Sequence, residues 1–112
     1  MTSAFTVKAA QFEGPLDLLL TLIEERKMLI SDITLASVAD DFLTYISKQD
    51  EFPLRDTAHF LVIAATLLLI KSRALLPILM LTDDEEAGVF DLEYRLQLLQ
   101  VMRDAAKRLA TL

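Results

Sequence analysis

The chain has no cysteine, only two glycines and a single histidine among its 112 residues. Each shortage closes off a class of chemistry. Without cysteine there are neither disulfides nor thiolate metal sites, which excludes a secreted disulfide scaffold. Two glycines, Gly14 and Gly88, cannot build a glycine-rich phosphate loop. His59 stands without a partner motif and reads as a helix-surface or packing residue. The first residues, MTSAFTVKAA, lack the basic start and continuous apolar core of a signal peptide, so a cytoplasmic location is expected.

Positive charge is also scarce. Eleven Lys and Arg against 17 Asp and Glu leave a formal charge of −6. A phosphate-binding surface needs clustered cations, so direct DNA binding by this domain is not expected. The acidic run Asp83 to Glu86 lacks the alternating ligands and central glycine of a calcium loop and reads as a solvated linker. Glu24-Glu25 and Asp40-Asp41 read as solvated helix faces. No nucleophile, base and metal set emerges, so neither an enzyme nor a cofactor is expected.

What is present in excess is apolar surface. Hydrophobic residues make up 54% of the chain, with a mean hydropathy of +0.41. A small domain has much surface to cover, so this excess suggests a partner or self-association. The stretch Ala58 to Leu76, AHFLVIAATLLLIKSRALL, concentrates it. As a helix it would be about 28 Å long. Phe60, Ala64, Leu67 and Leu68 fill one side, and Leu61, Ala65, Leu69 and Leu76 the opposite side. Ile63 and Ile70 close the circle, leaving a polar wedge of His59, Thr66 and Arg73. A surface helix should keep one wet face; this one needs protein nearly all round. A membrane span is disfavoured. The pure apolar run stops at Ile70, short of the roughly 20 residues required, and Lys71 and Arg73 would sit near its middle.

The remaining pattern is helical, and the fold class is all-α with about four helices. Phe5, Val7 and Ala9 alternate with polar or small neighbours, a weak signal for a short N-terminal β-strand; a mobile tail is the alternative. Gly14 and Pro15 open a helix with Leu16, Leu19, Leu20 and Ile23 on one side, ended by Glu24 to Lys27. After a turn at Ser31-Asp32, a second helix is predicted from about Leu35 to Lys48, with Leu35, Val38, Phe42, Tyr45 and Ile46 on its apolar face. Gln49 to Pro53 reads as a loop. Pro77 ends or kinks the central helix. Asp91 is the expected N-cap of a last helix to Leu112, with Leu92, Leu96, Leu99 and Met102 on a heptad-like seam. The expected organisation is a domain over 1–81, an acidic linker over 82–90 and a further helix over 91–112.

Two stretches, FEGPLDLLL (Phe12 to Leu20) and FLVIAATLLLIKSRALLP (Phe60 to Pro77), together resemble the N-terminal domain of the bacterial segregation and condensation protein A family, the kleisin subunit of the Smc condensin complex. Thr34 stands where the family usually has proline, and Leu69 where it often has a polar residue. The resemblance implies an adaptor without enzymatic activity, acting in chromosome condensation and segregation. Its implied partners are the coiled-coil neck of an Smc ATPase and a dimer of segregation and condensation protein B. It also implies that the chain is a fragment, 91–112 beginning the family's middle region, associated with the nucleoid through Smc. On the first assignment Leu61, Ala65, Leu68 and Leu69 pack inside the domain. Phe60, Ile63, Leu67, Ile70 and Ala74 then meet Smc, with Lys71 and Arg73 at the rim. Leu67→Glu would then abolish binding and spare the helices. The exchanged assignment stays open. Leu92, Leu96, Leu99 and Met102 are the candidates for protein B. The rival reading is a self-associating bundle, a homodimer when isolated.

Overall fold

The computed structural model describes residues 12–48 and 54–112, with the side chains of 54–56 left aside. The expected N-terminal strand and the loop at Gln49 to Pro53 lie outside the described residues. Among those described there is no strand, and four helices carry the fold. They are α1 (Pro15–Glu25), α2 (Asp32–Lys48), α3 (Leu54–Leu75) and α4 (Asp83–Ala110).

The starts and stops have local causes. Gly14 precedes α1 at φ 131, a conformation that side chains with a Cβ rarely adopt, and Pro15 takes the first turn. At its other end the Met28 N–H reaches the Ile23 carbonyl and the Lys27 N–H the Glu24 carbonyl, with Lys27 left-handed at φ 55. This is a Schellman ending in which lysine takes the place usual for glycine. Ser31 Oγ accepts from the Thr34 N–H at 3.2 Å, so α2 begins at Asp32 rather than at the expected Leu35. Pro77 follows α3 closely, and the helix ends at Leu75.

The last helix departs most from expectation. Thr82 and Glu85 form a capping box: Thr82 Oγ1 accepts from the Glu85 N–H at 3.1 Å and Glu85 Oε1 from the Thr82 N–H at 2.8 Å. The acidic stretch 83–90 is therefore the opening of α4, not a linker, because four carboxylates suit the positive end of a helix dipole. Asp91, expected as the cap, lies inside the helix and pairs with Arg95 at 2.8 Å.

One core joins all four helices. Leu18, Leu19, Leu20 and Ile23 from α1 meet Leu35, Val38 and Phe42 from α2, Leu67 and Ile70 from α3, and Leu92 and Leu96 from α4. Phe42 and Phe60 stack with ring centroids 6.1 Å apart, and Phe12 meets Tyr45 edge-on. By length and composition α3 is apolar enough to cross a membrane over Thr57–Leu75. A core helix passes the same test, and Phe60, Ile63, Ala64, Leu67 and Ile70 form the core here.

Candidate partner-binding surfaces

Packing divides the two apolar sides of α3. Phe60, Ile63, Leu67 and Ile70 are buried against α1, α2 and α4. The first sequence assignment gave these four to a partner, and the structure reverses it. They sit where the shorter α1 and α2 deliver their leucines, and all four are buried there. The side that faces out carries Leu61, Val62, Ala65, Leu68 and Leu75, with Leu69 partly covered. Of the residues expected to meet Smc only Ala74 is exposed.

The outward side has a definite pattern. Leu61, Ala65, Leu68, Ser72 and Leu75 recur at alternating steps of four and three, the spacing of a coiled-coil seam. Ile78 and Met80 beyond Pro77, and Ile33 on the first turn of α2, are exposed as well. Among the described residues nothing covers this apolar surface, and such surfaces are candidates for interaction sites.

The rim cations are bound internally. Lys71 Nζ lies 2.5 Å from Asp40 of α2. Arg73 bridges Asp32 of α2 and Glu86 of α4, the latter at 2.5 Å, and the Glu86 hydrogen bond heads the interactions that raise its pKa further. Glu93 stands beside this cluster. Burial first, then a hydrogen bond to Asp32 and its charge, push the Glu93 carboxyl from 4.5 up to about 7, against the pull of Arg73. Both cations thus tie α3 to its neighbours.

Helix α4 also turns its expected partner residues inward. Leu92 and Leu96 are buried and Leu99 packs on the core; Met102 is exposed. Arg103, which sequence reading passed over, fastens this side. Its guanidinium donates to the Glu24 carboxylate at 2.7 Å, the Asp17 carbonyl at 3.0 Å and Thr21 Oγ1 at 3.1 Å, and pairs with the Asp17 carboxylate. A shallow groove between α1 and α4 is lined by Leu16, Leu98, Leu99 and Met102, with His59 and Arg95 also lining it. No group of three or more His, Cys, Asp or Glu among the described residues could hold a metal.

These features define an all-α, four-helix domain with an exposed apolar seam along α3. The family model for segregation and condensation protein ScpA matches residues 22–108, and the chain belongs to that family. Segregation and condensation protein A of Lactiplantibacillus plantarum is 49% identical over 64% of this chain and 28% of its own length. That of Brevibacillus brevis is 47% identical over 66% of the chain and 29% of its own length. The Myxococcus xanthus protein is 38% identical over 96% of the chain and 41% of its own. The chain thus spans well under half the length of these relatives. No solved structure matches it.

Proposed function

We propose that this chain is the part of a kleisin adaptor that lays the outward seam of α3 along the coiled-coil neck of an Smc ATPase. The observation that carries this reading is the heptad-spaced row Leu61, Ala65, Leu68, Ser72 and Leu75, of which all but the half-buried Ser72 are exposed among the described residues. Such a row can add a helix to a two-stranded coiled coil, its knobs seating between those of the partner. Each large aliphatic contributes roughly 1.5–3 kcal/mol gross on burial. The three leucines of the row leave a useful surplus after association and ordering costs of about 4–15 kcal/mol only if the neck is rigid beforehand, as a coiled coil is.

In this role the chain is non-enzymatic and helps to close a condensin ring in chromosome condensation and segregation. It reaches the nucleoid through Smc, and its −6 charge argues against holding DNA itself. A dimer of segregation and condensation protein B is the second partner we propose for the whole protein. Leu92, Leu96 and Leu99 serve the core of this chain, so that contact is not assigned to them. The test is native mass of the chain mixed with an Smc head-plus-neck protein. A 1:1 complex that is lost with Leu61→Glu/Leu68→Glu supports the reading. Undiminished binding by that variant, with its helices intact, would end it.

A further inference from the structure

Helix α4 carries two apolar seams on opposite sides. Val89, Leu92, Leu96 and Leu99 face the bundle. Phe90, Tyr94, Leu98, Val101, Ala105 and Leu109 are exposed along the other side, about 180° away at 100° per residue. Phe90 and Tyr94 stack in the open, ring centroids 6.4 Å apart and planes 5° from parallel. Tyr94, Leu98, Val101, Ala105, Arg108 and Leu112 repeat at steps of four and three, so the seam is built for another helix. Apart from Leu98, which also lines the groove beside α1, the seam faces away from the described helices, so a partner helix can lie along it.

We infer that the occupant is α4 of a second copy, running antiparallel. Charge decides both the partner and the direction. The first turn of α4 holds Asp83, Asp84, Glu85 and Glu86, and the last holds Lys107 and Arg108. An antiparallel copy runs each basic end toward the partner's acidic end, bringing Arg108 of one copy to Asp91 of the other. With the two-fold axis between Leu99 and Gln100, Leu98 of each copy faces Val101 of the other. Bulky Tyr94 faces small Ala105, and Asp91 faces Arg108. Each of these layers is then apolar against apolar or acid against base. A parallel copy in register would stack Asp91 on Asp91 and Arg108 on Arg108, which like-charge repulsion opposes. The contact is isologous, so it closes at two copies.

The intact chain tests this by sedimentation equilibrium across a concentration series. The expected result is a reversible species at twice 12.6 kDa. Leu98→Asp/Val101→Asp should be monomeric throughout with the helical circular dichroism of the parent. Leu61→Glu/Leu68→Glu should still dimerise, which separates this seam from the surface proposed for Smc. A parent that stays monomeric, or a dimer lost only with the α3 variant, overturns the inference. Orientation is read from a nitroxide on Asp84→Cys, the sole thiol in a chain without cysteine. Antiparallel copies put the two labels about 45 Å apart along the helix axis; parallel copies would put them about 10 Å apart and refute the arrangement.

Discussion

Leu67 and Leu68 are neighbours in sequence and opposites in environment: Leu67 is 0% exposed and Leu68 is 47% exposed. The same substitution, Leu→Glu, should therefore have two different consequences. At position 67 it forfeits roughly 1.5–3 kcal/mol of side-chain burial. It also introduces a carboxyl that must stay neutral among Phe60, Ile63 and Ile70. Full burial can raise such a group by about 3–5 pKa units, past neutral pH, and holding it protonated at pH 7 against its usual value of about 4.3 costs roughly 3.5–4 kcal/mol at 1.36 kcal/mol per unit. The sum rivals the roughly 5–15 kcal/mol that holds a domain folded. Leu67→Glu should be largely unfolded at 25 °C, with its helical circular dichroism lost. Leu68→Glu should stay within about 0.5 kcal/mol of the parent in urea unfolding. It should bind the Smc neck at least about 30-fold more weakly, equivalent to an anchor of about 2 kcal/mol. A folded Leu67→Glu protein beside an unfolded Leu68→Glu one would mean that α3 is rotated by about 100° from its place here, and the reasoning would collapse.

Arg103→Ala leaves Asp17 and Glu24 facing each other without the guanidinium between them. Its exposure, 22%, lies between that of a surface pair and a buried one, so a loss of about 1.5–3 kcal/mol is expected. Hydrogen exchange should show α4 beyond Leu96 opening first. Thr82→Ala removes the capping hydroxyl of α4 and should cost about 1 kcal/mol in the same urea assay, whereas Thr82→Ser should cost much less. Glu93 gives a pH signature. Its carboxyl is raised in the fold, so its contribution to stability is fully present below about 4.5 and is lost as pH climbs through about 7. Glu93→Gln, neutral throughout, should flatten that part of the profile and be more stable than the parent at pH 8. An unchanged profile in the variant would show that another group is responsible.

The existence and kind of the helices were legible because their punctuation is chemical: Gly14-Pro15 opens one and Pro77 closes another. The opening of α4 was equally visible in Thr82-x-x-Glu85, but four successive acids read as solvation rather than as the start of a helix. The orientation of α3 was harder, since a rod apolar on both sides gives no preference from hydrophobicity alone. Its cations hold the answer. Lys71 and Arg73 flank the line that runs through Ile70, and they pair with Asp40 and Asp32 of α2. A side chain bracketed by cations that reach acids on the neighbouring helix must face that helix. The row through Phe60, Ile63, Leu67 and Ile70 is therefore the inner one. Isolated Lys71 and Arg73 looked like contacts awaiting a partner; paired within the chain, they set which greasy side is left for one. Burial supplies the stabilisation and the polar flanks select among arrangements that burial alone leaves equivalent, so exchanging Lys71 and Asp40 should preserve the choice where Lys71→Glu weakens it.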